Sequence, residues 1–281
     1  MIAIDFEYDG LSLSQFGYVI GSIDTTSGVV EATAGSELTF NLVSANRGST
    51  SYHISSKYES YLETEIDIIK SNCESDSYII SQKEFRNLMR WLNRKDFHTL
   101  NFIGDIDLNG DDVGYEIIYY EASFNCSKLL LNGEIVGVKL KIQTNAPYGF
   151  AKEVDETYNL VVPSGGDSAN FQFKDTSDEI GEIYPTIIIT PSASGTLVIK
   201  NTTYDNEYAI IVKNCSSGET ITIDNEHQIV TTDNNSHNVT DDFNYHWFRL
   251  VNTYNDRTNN ISCSLPCSFE IKYKPIIKYG F

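Results

Sequence analysis

The spacing with the sharpest chemical content is Asp105-Ile-Asp107-Leu-Asn109-Gly110, followed by Glu116. It fits the calcium-loop pattern D-x-[DN]-x-[DN]-G-x5-E. In that pattern alternate side chains supply oxygen ligands, the glycine makes a sharp turn, and the last glutamate binds through both oxygens. Such a loop joins two helices, whereas both flanks here read as strands. Asp112 also stands where the loop normally carries an apolar residue. An acidic, glycine-containing connection between strands produces the same letters. The expectation is no metal site, with Asp105, Asp107, Asn109 and Glu116 as the one candidate calcium set.

Cys263 and Cys267 offer two soft ligands, but a structural zinc site needs four, usually as two close pairs. None of His53, His98, His227, His237 and His246 forms an i, i+4 pair. Both thiols are expected to be free and buried, behaving as small hydrophobes. With 39 Asp and Glu, some carboxylates must fall at glycosidase separation by chance. Asp111-Asp112 and Asp241-Asp242 read as solvated turn residues. A nucleophile elbow, a P-loop and a G-x-G-x-x-G turn are all missing. The chain is therefore expected to be no enzyme and to hold no cofactor. Trp247 alternates with Phe248 and Leu250 and so faces away from them. Plain packing, a subunit contact and sugar stacking remain open for it.

The elements that would position these residues are mostly strands. Leu38, Phe40 and Leu42 alternate with polar neighbours, as do Leu62, Ile66 and Ile68, and Val138, Leu140 and Ile142. Each run predicts a strand with one buried face. The segment 81–93 breaks the pattern. Ser81 and Glu84 make a capping-box signature, and Phe85, Leu88, Met89 and Leu92 share one helical face. Trp91 lies beside that stripe and reads as core or domain-edge packing. Further strands are expected near 97–104 and 114–124. Asn145-Ala-Pro147-Tyr-Gly149 is a turn-rich stop, which sets a domain boundary near 150. The second half shows short strands separated by turn signals, as in a β-sandwich. Residues 231–244 are rich in Asn, Asp and Thr and read as an exposed loop.

The chain has 281 residues, 20 Lys and Arg against 39 Asp and Glu, and a net charge of -19. Direct binding to nucleic acid or to an anionic membrane is disfavoured, because both need clustered cations. Five irregularly spaced cysteines are not a disulfide framework. The opening residues lack the basic and apolar regions of a secretory signal, and no apolar run reaches the ~18 residues of a membrane span. A soluble product of a reducing cytosol is expected.

The ordered set of segments resembles the distal tail protein family of long-tailed bacteriophages and prophages. The set begins with Phe6-Glu-Tyr8-Asp-Gly10-Leu-Ser and Phe16-Gly-Tyr18-Val-Ile20. It continues through Arg47-Gly48, the strand of Ile66 and Ile68, the helix ending Arg90-Trp91-Leu92, and Gly133-Glu-Ile135-Val-Gly137-Val-Lys-Leu140 running into Thr144-Asn-Ala-Pro147-Tyr148-Gly149. Tyr184-Pro185, Gly218-Glu219-Thr220-Ile221-Thr-Ile223-Asp224, Trp247-Phe-Arg249-Leu250-Val and Phe269-Glu-Ile271-Lys-Tyr273 follow in the second half.

The resemblance implies a mainly β chain. A barrel-like or sandwich-like domain with one helix, residues 1–150, forms a ring, and a galectin-like β-sandwich, residues 151–281, follows. It implies a homohexamer joining tail tube to tail tip or baseplate at the distal end of the virion's tail, made in the bacterial host cytoplasm. Tail tube protein, a tail-tip protein and receptor-binding protein would be its partners, and DNA would pass the lumen without specific binding. No catalytic residue comes with the resemblance. Charged strands such as the one carrying Glu63, Glu65 and Asp67 would block unwanted edge pairing. The alternative function is a carbohydrate-binding or cell-surface adhesion module acting in host recognition.

Overall fold

Alternating side chains can bury only one face of a strand, so such strands must pair and find cover. The computed structural model describes residues 3–21, 38–44, 50–58, 61–71, 77–104 and 117–278, and it divides the chain into two units. The first comprises residues 1–151 and 276–281. Its strands are β1 (Ala3–Tyr8), β2 (Leu11–Ser12), β3 (Tyr18–Ile20), β4 (Leu38–Ser44), β5 (Ser51–Tyr58), β6 (Glu63–Lys70), β7 (His98–Gly104), β8 (Tyr119–Leu131), β9 (Glu134–Thr144) and β10 (Gly149–Phe150), with one helix, α1 (Gln82–Leu92).

Seven strands pair antiparallel in the order β2-β1-β7-β8-β9-β6-β3. β2 and β3 end that path, yet only residues 13–17 separate them, four of these in a 3-10 turn. Six residue steps reach at most about 21 Å. Seven flat strands would hold their outer members about 29 Å apart. The sheet must therefore curl toward a barrel, and no pairing closes it among the described residues. β8 and β9 form a long hairpin. Its turn places Asn132 and Gly133 in the left-handed region (φ 52° and 88°), the conformation a two-residue hairpin turn requires.

The helix forms where the capping box predicts it. The Ser81 backbone N–H donates to Glu84 Oε2 at 2.7 Å, and the Glu84 N–H donates to Ser81 Oγ at 3.3 Å. Leu88, Trp91 and Leu92 are buried, while Phe85 and Met89 are half-buried. The Trp91 indole N–H donates to the Tyr8 carbonyl at 3.2 Å, and the ring stacks on Phe16 at 4.3 Å. Trp91 is thus a core residue that ties the helix to β1. Glu63 and Glu65 do not guard a bare edge. They reach diagonally across to Lys141 and Lys139 of β9, at 2.8 and 3.3 Å.

The second unit, residues 152–275, contains β11 (Val154–Leu160), β12 (Ala169–Lys174), β13 (Gly181–Ile183), β14 (Thr186–Pro191), β15 (Gly195–Asn201), β16 (Ile210–Cys215), β17 (Ile221–Asp224), β18 (Ile229–Thr232), the single turn α2 (Val239–Asp242), β19 (Leu250–Asn252), β20 (Thr258–Cys263) and β21 (Cys267–Tyr273). Five strands pair as β11-β21-β14-β17-β18 and four as β12-β20-β15-β16. Ile187, Ile189, Phe269 and Ile271 from the first sheet share one core with Leu197, Ile199, Val212 and Ile261 from the second. Two inner faces meeting in one core make a sandwich. The chain is mainly β, with a curled sheet and helix followed by a sandwich.

Two details depart from the sequence reading. Residues 231–244 are not an exposed loop: Val239 and Phe243 enter the sandwich core. The tail end also turns back, because Ile276–Ile277 pairs with β10 of the first unit. Among the described residues no helix is long and apolar enough to cross a membrane.

Candidate functional site

Asp105, Asp107, Asn109 and Glu116 lie outside the described residues. Their segment connects β7 to β8, which pair antiparallel from His98↔Ala122 to Asn101↔Tyr119. The motif therefore joins two strands rather than two helices. Among the described residues no three His, Cys, Asp or Glu side chains are placed to hold a metal ion.

Among the described residues the β4–β5 hairpin carries a run of exposed apolar side chains. Its register, with Leu38 opposite Tyr58 and Leu42 opposite His53, puts Leu38, Phe40 and Leu42 on one face, where Phe40 meets the His53 ring at 5.9 Å. These three side chains are 48%, 55% and 53% exposed. The expected strand is present, but the described residues leave open the face that the alternation marks. The register shifts between Asn41 and Leu42, so that His53 of β5, rather than Ile54, stands opposite Leu42. At the base of the hairpin Tyr58 meets the Tyr148 ring edge-on at 6.4 Å and lies under Lys278 Nζ at 5.4 Å. Leu130 and Leu131, at the end of β8, are exposed as well.

Trp247 is half-buried against the sandwich core, its ring edge-on to Phe243 at 5.0 Å. Residues 244–249 belong to no strand, so alternation does not turn this ring outward. Its backbone N–H donates to the Tyr208 hydroxyl at 3.0 Å. Nearby, the Arg249 guanidinium lies over Tyr204, Tyr208 and Tyr184 at 4.7, 5.1 and 5.6 Å, and pairs with Glu182 at 3.0 Å. The Tyr184 hydroxyl and then Arg249 hold the Glu182 carboxyl below its ordinary value, against desolvation. The aromatic faces are thus occupied by the chain's own cation.

Sequence reasoning missed a buried polar cluster in the second unit. His237 and Glu219 have side chains only 3% and 1% exposed, and Asp242 is 21% exposed. Glu219 Oε1 contacts His237 Nδ1 and accepts from the Thr232 hydroxyl at 2.5 Å. Its Oε2 accepts from the Ser216 N–H at 2.8 Å. Asp242 Oδ2 lies 3.3 Å from His237 Nε2, and the Asn214 amide donates to both Asp242 oxygens at 3.0 Å. The carboxylates sit on opposite edges of the imidazole, so the three groups share no common vertex for a metal. Burial pushes the Glu219 carboxyl up, but its N–H, hydroxyl and imidazole partners outweigh it and hold the group below its ordinary value. No spacing marks this cluster; the nearest signal is the only histidine inside the 231–244 segment.

Residues 1–146 match the family model described as a phage tail protein N-terminal domain. The chain belongs to the phage tail protein family. Residues 148–273 of this phage tail protein match a second model, described as a phage tail C-terminal domain. Its fold is similar to the crystal structure of the Dit protein of phage SPP1, described as a paradigm of the hub adsorption apparatus in Gram-positive infecting phages. The identity is 13%, the alignment covers 96% of this chain and 98% of that one, and the TM-score is 0.65. A chain of the phage P2 baseplate in its activated conformation with Ca is 14% identical over 98% and 99% of the two chains, with a TM-score of 0.45. No curated protein matches the sequence. At such identities the likeness to the Dit protein concerns the phage tail protein's fold.

Proposed function

We propose that this phage tail protein is a structural distal tail hub: six copies close into a ring that joins the tail tube to the tail tip or baseplate. The first unit, residues 1–150 in the sequence reading, makes the ring. The sandwich, residues 151–281, offers an outer platform for tip and receptor-binding proteins.

The observation that carries this reading is the uncovered apolar face of the β4–β5 hairpin. An isolated two-stranded hairpin is marginal in water, and an apolar face needs cover. The SPP1 hub protein shares this fold over nearly the whole chain, which favours a second copy of the chain as that cover. A contact in which the hairpin of one copy meets a different patch of the next is heterologous, and it closes a ring when the rotation permits. The net charge of -19 fits the same role. An acidic lumen repels phosphates and lets DNA pass without sticking.

Native mass spectrometry tests the proposal, alone and with tube and tip proteins. A species of six times 31.6 kDa is expected. Replacing both Phe40 and Leu42 by Asp should abolish it and leave the circular dichroism of the monomer unchanged. A chain that stays monomeric with all partners present would overturn the reading. A ring with a basic lumen would overturn the account of the charge.

A further inference from the structure

We propose that Cys263 and Cys267 form an oxidation site that closes to an intramolecular disulfide across the edge of the sandwich. Cys263 ends β20 in the four-stranded sheet, and Cys267 begins β21 in the five-stranded sheet. Residues 264–266 carry the chain from one sheet to the other. Cys263 stands opposite Ala169 and Ile199, while Cys267 stands opposite Leu160 and Pro191. Both thiols point into the shared core, where their sulfurs lie 3.5 Å apart. A disulfide bond is about 2.05 Å long, so closure needs about 1.5 Å of approach shared by two side chains. The site depends on this geometry alone and not on the hub reading.

The two sulfurs are not equivalent. Cys263 Sγ lies 3.4 Å from the Leu265 carbonyl oxygen as well as 3.5 Å from Cys267 Sγ. The hydrogen bond from Cys267 lowers the Cys263 thiol against burial, and that bond together with burial pushes Cys267 up. Cys263 is therefore the sulfur that ionises first. The other described thiols do not compete, because burial pushes Cys126 up to about 12 and Cys215 up to about 11.

The co-reactant is a small peroxide, since both cysteines are buried and bulkier oxidants cannot enter. The Cys263 thiolate attacks one oxygen of hydrogen peroxide. The O–O bond breaks, the departing hydroxide takes up the thiol proton as water, and Cys263 becomes a sulfenic acid. The Cys267 sulfur then attacks the Cys263 sulfur, the S–O bond breaks, and the hydroxyl leaves as water with the Cys267 proton. Two thiols and one peroxide give one disulfide and two waters. The sulfurs are oxidised and the peroxide oxygens reduced. The product pins the two sheets together where the chain crosses between them.

Peptide mapping of the full chain tests this. Trypsin releases residues 258–272 as one peptide that carries both cysteines and has no internal cleavage site. After peroxide treatment, denaturation and alkylation, that peptide should be lighter by two hydrogens and carry no alkyl group. The Cys126 and Cys215 peptides should stay alkylated. Reduction before alkylation should restore two alkyl groups on 258–272. Two alkyl groups without reduction, overoxidised Cys263 beside alkylated Cys267, or a bridge from either residue to another cysteine would each overturn the proposal. The Cys267→Ser variant should stop at a Cys263 sulfenic acid that dimedone captures. Its absence would overturn the assignment of Cys263 as the sulfur oxidised first.

Discussion

Replacing His237 by Ala removes the group that contacts the buried Glu219 and the partly exposed Asp242. Leaving a buried charged group without one of its hydrogen-bond partners costs about 3 kcal/mol or more. Glu219 keeps the Ser216 N–H and the Thr232 hydroxyl, so the loss belongs at the lower end, about 3 kcal/mol. Asp242 is partly solvated and held by Asn214, and adds little. A unit of this size has a urea dependence of about 1.5 kcal/mol per molar, so the midpoint should fall by about 2 M. The two units need not unfold together. Urea-dependent hydrogen exchange, read on peptides spanning 216–243, isolates the relevant transition. His237→Gln, which can still donate to Glu219, should recover part of the loss.

The pH dependence of that cluster has a definite sign. Glu219 is held below its ordinary value in the folded state. Its contribution is therefore full above the unfolded carboxylate value of about 4.3 and is lost as pH falls through the lower, folded value. The gap between wild type and His237→Ala should be largest near neutrality and shrink in acid. A midpoint that His237→Ala leaves unchanged at pH 7 would refute the argument that the imidazole sustains the buried carboxylates.

Glu84 is pulled down to about 2, first by the Ser81 hydroxyl and then by Lys70. Its support of α1 should thus persist well below pH 4, and Glu84→Ala should cost about 1 kcal/mol in thermal unfolding. Trp91→Ala should destabilise the first unit by about 3–5 kcal/mol, seen by denaturation of that unit's β signal, because it leaves a cavity and removes the indole's hydrogen bond to the Tyr8 carbonyl. Calcium addition or chelation should leave the melting midpoint unchanged. A calcium-dependent rise that Asp105→Ala abolishes would overturn that expectation and make the segment between β7 and β8 a metal site.

The helix was legible because its determinants are local. Ser81, Glu84 and the i, i+3, i+4 stripe lie within twelve residues, and the two capping bonds form as those letters imply. Strands such as β6 and β9 were legible for the same reason, whereas the alternation around Trp247 forms no strand over 244–249. The curl of the first sheet was not, because it follows from how few residues link β2 to β3 once their places in the pairing order are known. The cluster around His237 was hidden because Glu219 and His237 stand eighteen residues apart on different elements. Composition there pointed to solvent, while Val239 and Phe243 anchored the segment to the core.

Two strands with the same pattern show where such reading ends. Val138, Leu140 and Ile142 alternate just as Leu38, Phe40 and Leu42 do. The first three are fully buried, and the second three are about half exposed. Alternation states which side chains share a face, and it is silent about what covers that face. β9 has its cover in the same chain, under α1 and the curled sheet. β4 pairs only with β5 among the described strands, and its apolar face stays open among the described residues. A sequence pattern that demands burial, on a face the described residues leave open, is what the proposed contact between copies would cover. Among the described residues this open stripe is therefore the feature on which the proposed assembly rests.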